Sequence, residues 1–320
     1  MIEGADRDLL ARSMAHAVES STGEALDVAL GEVGWRDALV DDPRTAVSLL
    51  FELQGRTGAS SSSLDLVLAT GLGRDLAPVA AVVLPKMGGV EAPGRARGEA
   101  LDADGIGTPG LARASTTIVV CETDGVVECR MVSTDLLTVR PISGLDPSLG
   151  LVRVTATDVP GTASPLPAGA WANGVALGQR AVAHELIGAS RAMLALARDH
   201  AVERIQFDQP IAGFQAVRHR LADAHVAVET ADAAIDAAWD DGSSLAAAAA
   251  KAIAGRSARL VARHAQQVLA GIGFTTEHPL HRYVTRVLVL DGLLGDARSL
   301  TRSLGGELLR ARQLPAMLPL

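Results

Sequence analysis

Between residues 217 and 238 the apolar positions Val217, Leu221, Ala224, Val228, Ala231, Ile235 and Ala238 recur at alternating spacings of four and three. That spacing keeps one stripe of a helix against its neighbours over six turns, so the segment predicts a seam of a helix bundle. A preceding helix carries Val175, Val182, Leu186, Met193 and Leu196. A following one carries Leu245, Ile253, Leu260 and Val268 after the break Asp241-Gly242-Ser243, and a fourth is expected over about 279–312. Four long helices with short connections imply an up-and-down bundle.

The earlier part of the chain has other periods. Residues 1–75 read as helical, with Leu9, Ala15, Leu26, Leu30, Leu39, Val47, Leu50, Phe51 and Leu64 as core candidates. Asp41-Asp42-Pro43 marks a helix start, and the serines 60–63 mark a loop or cap. From about 78 to 160 short apolar runs replace helical spacing: 79–84, 116–120, 126–132, 136–142 and 151–155, separated by Gly, Pro and Asp. Residues 161–167 hold two prolines, which block helix and central strand alike, and read as a linker. The expected organisation is mainly α with a small β domain: N-terminal helices over 1–77, strands over 78–160, and a C-terminal four-helix bundle over 161–320.

Asp124-Gly125 suits a two-residue hairpin turn. That turn places Cys121 opposite Glu128 and Cys129 opposite Val120, so the only two thiols point to opposite sheet faces. A disulfide is disfavoured, and two cysteines alone make no metal site. His184, His219, His264, His278 and His281 lack acidic partners at ligand spacing, and no metal is expected. The formal charge of −8 offers no general basic field to nucleic acid, so any phosphate must be met by local arginines. With no apolar run of membrane length and no signal-like start, the expectation is a cytoplasmic protein.

Two motifs carry chemistry. The run Arg204-Ile205-Gln206-Phe207-Asp208-Gln209-Pro210-Ile211-Ala212-Gly213-Phe214-Gln215 places Arg204 and Phe207 three apart, on what the spacing predicts is the last turn of a helix. A guanidinium there suits a pyrophosphate, because its planar fork donates two hydrogen bonds and stays charged. The same spacing also suits a solvated arginine beside a core phenylalanine. The second motif is Gln266-Gln267-Val268-Leu269-Ala270-Gly271-Ile272-Gly273-Phe274, followed by Glu277 and Pro279-Leu280.

In order and spacing these two motifs resemble the C-terminal half of the acyl-CoA dehydrogenase family, whose patterns are Arg-x-x-Phe-Gly-x-Pro-Ile and Gln-x-x-Gly-Gly-x-Gly-Phe. The chain departs at Asp208, where the pattern has Gly, and at Ala270, where the first glycine is lost. The resemblance covers about 150 C-terminal residues well and the β region only in outline. It implies tetramers with FAD at subunit interfaces, Arg204 on the pyrophosphate, and Phe207, Gln215, Gln267 and Gly271 lining the pocket of a neighbouring subunit's FAD.

The family's other functional segments find no match. Its flavin-ring contacts, a Thr-Glu-x-x-x-Gly-Ser-Asp segment and a Trp-centred segment, are missing; Trp35, Trp171 and Trp239 all lie outside the strand region. The family's catalytic base falls on Leu294, an alkyl group that cannot take a proton. The alternative base position falls near Gly178, with Glu185 and Asp291 as substitutes in reach; Glu185 otherwise reads as a helix-surface or interface carboxylate, and Asp291 as a charge or cap on the last helix. No catalytic residue is expected in this chain. The resemblance narrows to the short β subunit of α2β2 acyl-CoA dehydrogenases of steroid catabolism. It implies a full-length α subunit, an acyl-CoA substrate bound mainly by that subunit, and an electron-transfer flavoprotein. Two rival readings stay open: a homo-oligomeric dehydrogenase with Glu185 or Asp291 as base, and a non-catalytic assembly subunit.

Overall fold

The structure, a computed structural model, describes residues 4–74 and 80–312. Five helices come first: α1 (Gly4–Ser20), α2 (Glu24–Glu32), α3 (Trp35–Asp41), α4 (Pro43–Thr57) and α5 (Ser63–Gly71). Asp42 caps α4, its side chain accepting from Thr45 N at 3.1 Å, and Pro43 occupies the first helical position, where a missing N–H costs nothing. The apolar positions expected in this layer are buried from Leu26 to Leu64, and Ala15 is half-buried. Leu9 is the exception: it faces solvent, and Met14, Ala17 and Val18 supply the buried face of α1. The expected border at 77/78 and Val79 lie outside the described residues.

Eight strands follow: β1 (Ala80–Val82), β2 (Gly94–Arg97), β3 (Ala100–Gly107), β4 (Thr116–Thr123), β5 (Val126–Ser133), β6 (Thr138–Pro141), β7 (Val152–Pro160) and β8 (Thr162–Pro165). They form one sheet in the order β6-β7-β3-β2-β4-β5-β8, with β1 parallel to β4. The β4–β5 register pairs Cys121 with Glu128 and Val120 with Cys129, as the Asp124-Gly125 turn requires. Alternation then sends Ile118, Val120 and Cys129 towards the helices and Val119, Cys121 and Val132 into a second core on the far face. Both thiols are buried and unbridged.

Two sequence expectations fail here. The pair β2–β3 has no apolar run to announce it, because Gly94–Arg97 and Ala100–Gly107 alternate small and charged residues. The stretch expected as a linker continues the sheet: β8 pairs with β5 from the edge, the one location where strand prolines do no harm.

The remainder is helical: α6 (Ala170–Glu203), α7 (Gln215–Asp241), α8 (Ser244–Leu269), α9 (Leu280–Gly292) and α10 (Ala297–Ala311). Every residue of α6 from 174 to 190 is buried, so this helix is the axis of the molecule. It crosses α4 at backbone distance. A Cβ on Gly55 would lie 2.1 Å from Glu185 O, and one on Gly188 the same distance from Glu52 O. The α7 seam is buried from Ala224 to Ala238, with Val217 and Leu221 half-buried at its start. Gly242 ends α7 with a positive φ, and Ser243 caps α8 through Ala246 N.

The expected fourth helix is two. Leu293 is extended, Leu294 and Gly295 have φ of 56° and 93°, and Asp296 caps α10 by accepting from Arg298 N and Ser299 N. The Gly295-Asp296 pair is a stop-and-restart signal that the surrounding leucines mask. No helix among the described residues is long and apolar enough to cross a membrane.

Candidate functional site

Antiparallel packing brings the two motifs together. Arg180 near the start of α6 donates to Ala238 O at the end of α7, and Arg220 near the start of α7 lies 3.4 Å from His264 near the end of α8. The end of α6, the start of α7 and the end of α8 therefore share one end of the bundle. Burial first, with His278 and Arg204 adding to it and Glu203 opposing, holds the His200 imidazole there below its usual value.

Arg204 and Phe207 are not on one helical turn. The helix stops at Glu203, and Arg204 caps it with extended backbone. The chain then folds into a small hairpin, β9 (Ile205–Gln206) and β10 (Gln209–Pro210), closed by Ile211 N donating to Arg204 O at 2.8 Å. Phe207 and Asp208 form its tip with φ of 53° and 62°, both in the left-handed region that a two-residue turn demands. The family's glycine at 208 has a physical explanation in that φ, and aspartate is among the residues that tolerate it. Phe207 is 86% exposed and touches Phe214 edge-to-face at 6.1 Å, so the rival reading of a core phenylalanine beside a solvated arginine fails.

Gln215 opens α7, and Gln267 lies on the last turn of α8; both side chains face solvent. After α8 the chain makes a 3-10 turn over Ala270–Phe274. Gly271 is exposed, and a Cβ there would meet nothing within 4 Å. Ala270 holds φ 52° and ψ −133°, a conformation natural to the glycine that the family pattern puts there. Phe274 is 66% exposed, and Val202, Ile205 and Ile272 are exposed on the same segments. One end of the bundle thus presents a guanidinium without a side-chain partner among the described residues, two carboxamides, an open glycine and several bare apolar groups. Guanidinium and carboxamide donors with an uncrowded backbone fit one side of a dinucleotide's pyrophosphate. The apolar exposure fits a surface that another protein covers.

The base positions are closed. Leu294 is 1% exposed, and a Cβ on Gly178 would lie 2.5 Å from its Cδ1 and 3.0 Å from Leu68 Cδ1. Leu294 and the neighbourhood of Gly178, where the resemblance puts the family's base, are therefore in contact, filled by one leucine side chain. Gln179 Nε2 donates to Leu294 O at 3.0 Å and pins the loop. Nearby, between Val182, Glu185, Thr108 and Leu293, the cavity measures about 30 Å3, room for a water and not for an acyl chain.

Neither substitute carboxylate is free. Glu185 is buried, contrary to the surface or interface position expected of it. Burial pushes its carboxyl above the usual range while Arg286 opposes the shift, donating from Nε at 3.0 Å and Nη2 at 2.8 Å. Arg286 also reaches Gly58 O, Ala59 O and Ser60 Oγ, so the pair ties α6, α9 and the α4–α5 loop together. Asp291 is 1% exposed, accepts from Arg259 Nε at 2.8 Å, and takes Ala297 N at 3.1 Å, which agrees with its reading as a cap on the last helix.

Sequence reasoning missed Lys251. It sits in an alanine-rich helix, is fully buried, and donates to Asp291 O at 2.9 Å and Gly295 O at 3.0 Å. Burial lowers its ammonium to about 8. It clamps the loop that carries Leu294, and a lone lysine among alanines gives no sequence signal of that. It also missed His184, whose Nε2 accepts from Trp239 Nε1 at 3.0 Å and which burial depresses to about 3. The pairing spans two helices at positions that share no local spacing.

Comparison with known proteins finds likenesses to this geometry. Residues 173–305 match the acyl-CoA dehydrogenase C-terminal domain. The chain is 33% identical to the acyl-CoA dehydrogenase IpdE2 of Mycolicibacterium smegmatis over 174 residues, 54% of each. It spans about half the length of the curated relatives it matches first. Among solved structures, the fold matches the ChsE4–ChsE5 complex from Mycobacterium tuberculosis with a TM-score of 0.79 at 21% identity, covering 98% of this chain and 99% of that one. The Tcur3481–Tcur3483 steroid ACAD matches with the same TM-score at 22% identity, covering 96% of each.

Proposed function

We propose that this chain, whose residues 173–305 match the acyl-CoA dehydrogenase C-terminal domain, is the subunit without a base in a hetero-oligomeric, FAD-dependent acyl-CoA dehydrogenase. It completes from outside the FAD site of a full-length partner that carries the carboxylate. The observation that carries this reading is an asymmetry. The end of the bundle around Arg204, Gln215, Gln267 and Gly271 is open and bare, whereas the position that matches the family's base, near the other end of α6, is filled by Leu294 against Gly178.

The reaction on this reading is α,β-dehydrogenation of an acyl-CoA thioester, in which FAD, when bound, would supply the hydride acceptor, and an electron-transfer flavoprotein would be the electron partner. This chain's residues contribute binding. Arg204 offers the pyrophosphate the planar fork of its guanidinium, Gln215 and Gln267 donate amide hydrogens, and Gly271 lets the ligand reach the backbone. Phe207 and Phe274 exclude water from the seam with the partner. An α2β2 arrangement then holds two cofactors. The names of the solved steroid ACAD complex and of the paired ChsE4–ChsE5 chains support a steroid-derived acyl group and a paired assembly.

A relocated base has less support, because Glu185 is locked in a buried pair with Arg286, and the buried Asp291 is held by Lys251 and by the half-exposed Arg259. The test is co-production with the full-length partner subunit, followed by a visible spectrum. Arg204→Ala should lower flavin per complex at least tenfold at limiting FAD without changing the fold of the free chain. Unchanged flavin content would leave the chain as an assembly subunit only.

A further inference from the structure

Helices α8 and α10 border an open groove of about 1,080 Å3, away from the flavin-facing end and bordered by Asp291 and Asp296 beside the base loop. Its floor is apolar, with Ile253, Leu304 and Leu308 half-buried, and α10 fully buries only Leu300. Its rims are basic. Arg256 and Arg259 stand three apart on α8, and Arg298 and Arg302 four apart on α10, so each pair lines one face of its helix. The two acids beneath are already used: Asp291 by Arg259 and Lys251, and Asp296 as the cap of α10. Among the described residues Arg256, Arg298 and Arg302 have no side-chain partner. Four guanidiniums around one groove are conspicuous in a chain of net charge −8.

Charge chooses the occupant. A second copy docking through the same face about a two-fold axis would set arginines against arginines, which disfavours self-association here. An apolar trough between two basic rails matches an amphipathic helix with carboxylates along its flanks. We propose that this groove receives an acidic amphipathic helix of the partner subunit, anchoring the hetero-oligomer away from the flavin. The inference rests on the heteromeric reading above and adds a contact to it.

The test uses the full chain and its co-produced partner. Wild-type affinity and its salt dependence are compared with those of Arg298→Glu/Arg302→Glu and of Arg298→Lys/Arg302→Lys, by titration calorimetry and native mass. All four of these side chains project from the surface, so circular dichroism of the free variants serves as the folding control. The glutamate pair should weaken association by about 100-fold at low salt and flatten the salt dependence, while the lysine pair stays within about tenfold of wild type. Equal affinity of the glutamate pair and wild type would overturn the groove assignment and leave the heteromer intact. Failure of the wild-type chain to associate at all would instead overturn the heteromeric reading. Competition by millimolar CoA would also overturn the assignment, showing that the arginines meet an organic phosphate.

Discussion

Leu294 gives the account its sharpest energetic test. The side chain is 1% exposed, sits against the bare backbone of Gly178, and belongs to a loop held by Gln179 Nε2 and by the Lys251 clamp. A site so pinned has little freedom to collapse when atoms are removed. Leu294→Ala should therefore cost about 4 kcal/mol, in the upper part of the range for buried leucines. Gly178→Ala alone places a methyl 2.5 Å from Leu294 Cδ1. The resulting overpacking, about 2 kcal/mol, is partly offset by about 1 kcal/mol of helix propensity, for a net cost of about 1 kcal/mol. In the double variant the new methyl occupies space the leucine vacated, so the total should be about 3 kcal/mol, some 2 kcal/mol below the sum of the singles. Denaturant unfolding of the four proteins measures the cycle. Additive costs, or a Leu294→Ala cost under about 1 kcal/mol, would show that the base position is not filled as described.

Three further outcomes follow from the same geometry. Ala270→Gly relieves a positive φ at the turn after α8 and should raise stability by about 1 kcal/mol; a loss on unfolding by denaturant would refute the strain. Asp65 is 3% exposed, and burial, with Asp27 adding to it, pushes its carboxyl up to about 7 against Thr108 Oγ1 donating at 2.7 Å, the backbone of Val82 and Arg113. Its stabilising protonated form is fully present below the ordinary carboxylate value of about 4 and is lost as pH rises through about 7, so Asp65→Asn should gain on wild type by at most about 4 kcal/mol towards pH 8. Melting temperatures at pH 5 and pH 8 check this, and a variant advantage that does not grow with pH would contradict it. His184 runs the other way: depressed to about 3, it contributes stability that is present above its unfolded value of about 6.5 and lost as pH falls, so His184→Gln should flatten the acid limb of a pH–stability curve.

Much of this was legible because periodicity reports burial. The α7 seam and the β4–β5 register follow from spacing alone, since a helix stripe or a two-residue turn leaves one arrangement that buries the apolar side. What was illegible depends on tertiary partners. The β2–β3 pair has charged residues that face an open surface, with Lys86 and Arg153 on Asp104 and Arg97 on Asp102, so its strands lack apolar runs. Glu185 looks like a surface carboxylate until Arg286, 101 residues away, neutralises it. The arrangement of the candidate site residues was not legible: the helix ends at Glu203, and Arg204 and Phe207 sit around a hairpin whose tip takes positive φ at Phe207 and Asp208. A Gly-to-Asp change at the tip hid that turn.

The central claim is that this chain holds one side of a cofactor whose other side, and whose base, belong to a partner. The most direct measurement is the visible spectrum, native mass and thioester-oxidising activity of the purified chain, alone and then with its full-length partner. The account predicts a colourless, inactive chain and a yellow, active complex with one FAD for each pair of unlike chains. A yellow chain that oxidises an acyl-CoA by itself would contradict it.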